Sequence, residues 1–450
     1  MVEPSVGHTP GAQKSESVST KQRRIAELAR KHPQRVFTSL NHYLDYSWLY
    51  EAYRHTRKDA AAGIDGVTAE RYAQNLRENL EGLLERLKSG RYRAPAVRRV
   101  YIRKPDGAQR PLGIPTFEDK LAQRAIVMLL EPIYEQDFLA CSYGFRPGRS
   151  AHQALGRLWK DIMQRGGRWI VDLDISNFFG TIDHGQLRAF LDKRVRDGVV
   201  RRLLDKWLKA GVFQDGVRMV PSTGTPQGGV ASPLLANIVL HYVLDAWFQR
   251  QVIPRMRGRS SMVRFADDAV LVFEDHGDCE RVYRVISKRM AKYGLTLHPT
   301  KTRVVDFRIV QRFDRTSGGH GNGTFAFLGF THYWKRSRRG RWVVARKTAA
   351  QRLARSLRKV DDYCRRHRHL SLQQQHGYLC RLLRGHYAYY GIVGNFRSIG
   401  NFAYQVRRIW RKWLRRRDGL RRLTWEKFNG MLQRLALPQP RIVHSFGYSP

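Results

Sequence analysis

Two short segments carry carboxylates where packing alone does not ask for them. In "VDLDI", residues 171–175, Asp172 and Asp174 alternate with Val171, Leu173 and Ile175. In "RFADDAVLVF", residues 264–273, Asp267 and Asp268 stand side by side in a stretch that is otherwise nearly all apolar. A hairpin apolar on both faces is buried, and two uncompensated carboxylates at its tip are costly unless a cation neutralises them. Oxygen ligands without imidazole or thiolate nearby in sequence point to Mg²⁺. Two Mg²⁺ ions roughly 3.5–4 Å apart, bridged by carboxylates from two strands, catalyse in-line phosphoryl displacement. One ion activates the attacking hydroxyl and the other stabilises the leaving group. Either segment alone also reads as a half-exposed strand or a polar turn. Their pairing is what points to chemistry.

A site handling nucleotides needs further parts. Lys104 and Arg110 flank the turn Pro105-Asp106-Gly107 and suit a triphosphate, while Phe179, five residues after Asp174, could wall the nucleotide and crowd a ribose 2′-hydroxyl. Singly, each is more often a solvated charge or a core aromatic. Together they reinforce the acidic pairs.

The elements that must position these residues follow from periodicity. The period of two in "VDLDI" sends the acids to one face and the apolar residues to the other. "VRRVYIRKPDGAQRPLGIP" reads as two strands around a turn. Helix-compatible sequence spans about residues 21–90, broken at "AAGIDGVTAE", and again residues 119–138. After the Gly-rich "STGTPQGG", a helix is expected with Ser232 as N-cap and Pro233 at its first position. "CERVYRVISKRMAKYG" places Val282, Val285, Ile286 and Met290 on one helical face, and "FAFLGFTHYW" returns to strand. Strand, helix, hairpin, helix, strand is an α+β order. Beyond about Thr348 the chain reads as helical and very basic. There Val406, Ile409, Trp410, Trp413 and Leu414 form an apolar stripe, with arginines and Lys412 largely elsewhere.

The whole chain constrains the partner. With 82 Lys+Arg against 38 Asp+Glu in 450 residues, the formal charge of +44 implies a polyanion, with nucleic acid ahead of a membrane surface. The apolar runs are too short for a membrane span, so no membrane partner is expected. The four cysteines form no CxxC pair and read as reduced core thiols, arguing against a zinc ribbon or a disulfide scaffold. Without an apolar signal segment, the N-terminal residues read as a disordered leader and the protein as cytoplasmic.

The motifs "GIDGVT", "YIRKPDGAQRPLGIPTFEDKLAQRA", "SYGFRPGRSAHQAL", "VDLDISNFFGTIDH", "GTPQGGVASPLLANIVL", "RFADD", "GLTLHPTKT" and "FAFLGF", in this order over about residues 63–330, resemble the reverse transcriptases encoded by bacterial group II introns. The resemblance implies a right-hand polymerase: fingers, a palm with a ferredoxin-like sheet, and a basic helical thumb or maturase domain. It implies Asp174, Asp267 and Asp268 as ligands of two Mg²⁺ ions. Lys104 and Arg110 would grip the dNTP triphosphate, Phe179 would select deoxyribose, Gln227 and Gly228 would line the nucleotide and template pocket, and Lys301 would lie near the pyrophosphate. Phe265 stands where Tyr is common in the family, and Gly180 where many relatives carry Asp. "LLRGHYAYYGIVGNF" resembles the maturase-specific region.

The implied organisation is a leader at 1–25, an N-terminal fingers extension at 26–83, fingers and palm at 84–331, a linker at 332–347, a thumb/maturase domain at 348–430 and a tail at 431–450. No endonuclease module is expected. The implied function is RNA-directed DNA polymerisation from a DNA primer on an RNA template, with maturase assistance to splicing and mobility of a group II intron. The implied partners are that intron RNA, dNTPs and a DNA target. The alternatives are an RNA-binding splicing cofactor with incidental polymerase activity, and a reverse transcriptase recruited to host repair or defence.

Overall fold

The computed structural model describes residues 16–103, 107, 109–214, 217–219, 224, 228–309, 323–417 and 423–445. Eleven strands are present among them: β1 (Val97–Arg103), β2 (Gln109–Ile114), β3 (Trp169–Leu173), β4 (Val212–Gln214), β5 (Val217–Met219), β6 (Ser260–Phe265), β7 (Asp268–Phe273), β8 (Arg303–Asp306), β9 (Phe325–Phe327), β10 (Phe330–Arg336) and β11 (Trp342–Thr348). The chain divides into two compact units, each assembled from separated segments, so residues 84–331 do not form one contiguous body.

The first unit comprises Met1–Ile102, Pro111–Phe138 and Phe179–His241. Its centre is the helix Phe117–Asp137, capped by the Thr116 side chain and buried on nearly every turn. Helices Val18–Lys31 and Tyr46–His55 pack on it, and Trp48 donates its indole N–H to the Ala125 carbonyl at 2.9 Å. Residues 18–25, expected in a disordered leader, therefore belong to a helix: Ser17 caps it, and Ile25 and Ala29 on its inner face are buried. Most of a four-stranded sheet, β2-β1-β4-β5, lies here, with β1 parallel to β4. The helix Ser232–Leu240 starts one residue earlier than its sequence suggests. Ala231 is already helical at φ −80°, ψ −23°, so Ala231 is the cap and Ser232 lies inside.

The second unit comprises Arg103–Arg110, Leu139–Phe178 and Tyr242–Pro450. Its central sheet has the order β6-β7-β3-β8 with every pair antiparallel. The strand order and antiparallel directions match those of a ferredoxin-like sheet; the helix Ala151–Met163, which precedes β3, packs against β6, and the helix His276–Ala291 links β7 to β8. Ile170, Val263, Val270 and Val272 pack with Leu155, Leu158 and Trp159 of the first helix into a core that continues through Phe325, Phe327 and Phe330. On the second helix Val282, Ile286 and Met290 are buried, but Val285 is 46% exposed. At 100° per residue it falls about 60° outside the arc those three span.

Residues 332–347, expected as a linker, form most of the β10–β11 hairpin, which pairs with β9 in a three-stranded sheet. Both arms are rich in aromatic and β-branched residues, a strand composition that their basic residues obscured. The C-terminal helices Ala350–Arg366, Leu372–Tyr390, Phe396–Leu414 and Trp425–Arg434 share their own core, with Val406, Trp410, Trp413 and Leu414 inside it as the apolar stripe requires. Trp410 donates to Gln375 Oε1 (3.0 Å) and Trp413 to Asp361 Oδ1 (2.9 Å), so both indoles are satisfied where they pack. The segment expected as a tail is also tied down. The last helix runs past residue 430, Leu437 is buried, and His444 bridges to Ile392. Cys279, Cys364 and Cys380 are buried thiols and Cys141 is half-buried.

Candidate active site

The alternation in "VDLDI" holds: Val171, Leu173 and Ile175 are buried while Asp172 and Asp174 are half-exposed. The acids share a sheet face with Ile170, and Asp268 shares that face with Val270 and Val272. The inner part of this face is the apolar core described above. Its outer end is acidic.

Asp267 and Asp268 reach that end because the β6–β7 hairpin turns in two residues. Phe265 pairs with Asp268, leaving Ala266 and Asp267 as the loop. Ala266 takes a left-handed φ of +56°, a conformation usually left to glycine. The last β3–β7 pair is Leu173↔Ala269, so Asp174 and Asp268 are the next residues in line. Asp174 is anchored from a third segment: its carbonyl accepts from His298 N (2.8 Å) and Thr302 Oγ1 (3.1 Å). Lys301 Nζ lies 3.1 Å from Asp174 Oδ2. Segments roughly 90 to 130 residues away in sequence thus bring Asp267, Asp268 and Lys301 to the sheet end that Asp174 occupies.

Electrostatics bear the marks of this crowding. Asp268 touches solvent, yet desolvation by the surrounding protein, reinforced by the charges of Asp267, Asp174 and Asp172, pushes its carboxyl up to about 7. Burial and Asp174 push Asp172 up to about 6, against the pull of Arg303. Mutual repulsion of this kind disfavours ionisation until a cation is supplied. The donor set is all carboxylate oxygen, which fits a hard divalent ion. Among the described residues, no three acidic, imidazole or thiolate groups stand close enough to form a ready-made cage.

Asp172 did not figure in the sequence-derived site, although the same alternation that marks Asp174 marks it. Arg264 was given no role there either. It is a fully buried cation paired with the fully buried Asp245.

Phe179, the first residue of a first-unit segment, sits half-buried in the short helix Phe178–Thr181. Gly228 of the same unit has φ +111°, and a Cβ there would come within 2.5 Å of the Gly113 carbonyl oxygen, so only glycine permits that approach. Lys104, Gln227 and the side chain of Arg110 lie outside the described residues; the Arg110 backbone is in β2. Asp183 caps the helix His184–Leu191 by accepting from Gln186 N at 2.7 Å.

A second surface stands out on the C-terminal helices. A groove of about 910 Å³ is lined by Tyr404, Arg408, Arg411, Lys412, Arg415, Arg416 and Trp425, among others. Tyr404 and Trp425 are 54% and 43% exposed, and the Arg411 guanidinium lies 4.3 Å from the centre of the Trp425 ring. Cations interleaved with open aromatic faces suit phosphate and base together. No described helix is long and apolar enough to cross a membrane.

Comparison with known proteins gives the family. The sequence profile of the family described as Reverse transcriptase (RNA-dependent DNA polymerase) matches residues 102–332. Protein YkfC of Escherichia coli is 35% identical over 75% of this chain and 94% of its own. The group II intron-encoded protein LtrA of Lactococcus lactis subsp. cremoris is 40% identical over 48% of this chain, a match spanning 36% of LtrA. Nuclear intron maturase 1, mitochondrial, of Arabidopsis thaliana is 30% identical over 25% of this chain and 16% of its own. The chain belongs to the reverse transcriptase (RNA-dependent DNA polymerase) family.

Proposed function

We propose that the chain extends a DNA primer on an RNA template by two-metal nucleotidyl transfer and also acts as a maturase for a group II intron. The observation that carries this reading is the convergence of Asp174 with Asp267 and Asp268, from β3 and the β6–β7 hairpin, at one acidic sheet end. In this reading the central sheet of the second unit is the palm, the β1–β2 hairpin belongs to the fingers, and the C-terminal helices are the thumb. Asp174, Asp267 and Asp268 would hold two Mg²⁺ ions, which when bound activate the primer 3′-hydroxyl and stabilise the departing pyrophosphate. The side chains do the rest. Lys301, beside Asp174, is a proton donor toward pyrophosphate. Lys104 and Arg110 grip the triphosphate, Phe179 excludes a 2′-hydroxyl, and Gln227 with Gly228 lines the nucleotide and template pocket.

The groove along the helix Phe396–Leu414 supports RNA binding, because phosphate contacts from several cations supply sequence-independent affinity and open rings stack on unpaired bases. Intron RNA, the RNA template and a DNA target are its proposed partners. The test is incubation of the chain with the RNA that flanks its gene, scoring splicing and primer extension with Mg²⁺ and dNTPs. Asp267→Ala should lower extension by about 10²-fold or more while splicing persists. Full extension by that variant would overturn the catalytic assignment, and equal loss of splicing would show that the two roles are not separable at this site.

A further inference from the structure

Behind the acidic hairpin lies a charged pair that the proposed chemistry does not use. Arg264, in β6, and Asp245 have side chains with no solvent exposure. Arg264 donates through Nε to Asp245 Oδ1 (2.7 Å) and through Nη2 to Asp245 Oδ2 (2.6 Å), a bidentate fork. Nη2 also reaches Ser142 Oγ (2.7 Å), and Nη1 reaches the carbonyl oxygen of Ala266 (2.9 Å). That last carbonyl belongs to the peptide joining Ala266 to Asp267, at the residue whose φ is +56°. The backbone around the arginine is equally held: Arg264 N donates to the Cys141 carbonyl (2.8 Å), and Tyr143 N donates to the Arg264 carbonyl (2.9 Å).

Asp245 is itself placed by an irregularity. It ends a π-helical turn, His241–Asp245, in which the backbone takes an extra residue per turn. Such turns are rare and recur at functional sites. Arg289 supports this one from the helix His276–Ala291, donating to the carbonyls of Val243 (2.9 Å) and Tyr242 (3.1 Å). Arg289 thus fixes the π turn by its backbone, and Asp245 at the end of that turn holds Arg264, which in turn holds the Ala266 carbonyl.

A buried ion pair is a poor way to stabilise a core, since apolar residues of similar volume generally do as well or better. What the fork supplies is direction: a rigid, planar donor with fixed angles. We infer that the Arg264–Asp245 pair is a positioning device that holds the Ala266–Asp267 peptide, and with it the Asp267 carboxylate, in the orientation needed for divalent metal binding. Arg264 touches no reacting atom and acts through Asp267. The inference rests on the reading of Asp267 as a metal ligand.

The test uses the full chain in three forms besides the wild type: Arg264→Met/Asp245→Leu, which removes both charges and fills the space with apolar side chains; Arg264→Lys, which keeps the charge and loses the fork; and Asp267→Ala as the control. Each is assayed for thermal unfolding in metal-free buffer, for the rise in unfolding midpoint on titration with Mg²⁺, and for kcat and KM in primer extension. The double variant should unfold within a few degrees of the wild type and keep its KM for dNTP. Its kcat should fall by about 10²-fold, the scale set by an ångström of misplacement, and the Mg²⁺-dependent rise in midpoint should require several-fold more Mg²⁺. Arg264→Lys should show the same split, less severely.

A folded double variant with wild-type kcat and Mg²⁺ response overturns the inference. If the double variant does not fold, Arg264→Lys decides by the same criteria. If neither folds, the pair is a stability element and the inference fails. Wild-type activity in Asp267→Ala would instead locate the error in the metal-site reading.

Discussion

At the scale of single residues, the acidic cluster behaves as a charge deficit built into the fold. Asp268 ordinarily loses its proton near 3.8, and in the folded chain only near 7. The folded state therefore holds the proton more tightly than the unfolded state. Stability from this group is fully present below about pH 4 and is lost as pH rises through about 7. Asp172, pushed up to about 6, contributes in the same direction. Asp268→Asn should thus raise the unfolding midpoint in metal-free buffer at pH 8 and leave it nearly unchanged at pH 4. Calorimetry at both pH values checks this, and an equal effect at the two would show that the carboxylate is not electrostatically strained. Added Mg²⁺ should narrow the pH 8 difference, because an ion relieves the same repulsion that the substitution removes.

At the scale of elements, the site depends on how closely backbones approach one another. The loop "SYGFRPG" passes directly against the hairpin tip, and a Cβ at Gly144 would lie 2.3 Å from Ala266 N and 2.9 Å from the Phe265 carbonyl carbon. Both atoms are backbone, so no side chain can swing aside. Gly144→Ala should destabilise the fold by about 1–3 kcal/mol and displace the doublet, so primer extension should fall more than the loss of folded protein explains. Urea unfolding and extension measured on the same preparation separate the two effects. Much of this level was legible beforehand. The β6–β7 hairpin, the β3 alternation and the apolar stripe of the helix Phe396–Leu414 follow from periods of two and 3.6, which depend only on local geometry. Gly144 was not legible, because the need for a glycine there comes from a strand more than a hundred residues away. "FAFLGFTHYW" marked most of β10, but β11 was missed, because it and the end of β10 carry enough arginine and lysine to resemble a solvated linker.

At the scale of the whole molecule, the +44 formal charge dominates encounters with nucleic acid. If the basic groove and its surroundings neutralise six or more phosphates, affinity for structured RNA should fall by about 10³-fold or more between 50 and 200 mM salt. Fluorescence anisotropy across that range measures the slope. A nearly flat curve would mean that the positive surface is not the binding face. Arg408, Arg415 and Arg416 are the exposed arginines to neutralise first. Each removal should weaken binding to all RNAs similarly and reduce the salt slope by about one, whereas Trp425→Ala should act chiefly on single-stranded segments through lost stacking.

The sequence by itself determined which residue types alternate, which turn and which carry charge, because these are properties of neighbours along the chain. From them came the acidic strand, the acidic hairpin, the α+β order and the polyanionic partner. Tertiary structure alone decided that Asp172 joins the acidic cluster, that Lys301 meets Asp174, and that Arg264, seemingly out of place in an apolar strand, finds Asp245 and the Ala266 carbonyl. Those are distances between segments far apart in sequence. They exist only once the sheet has set its strand order and the π turn has added its extra residue.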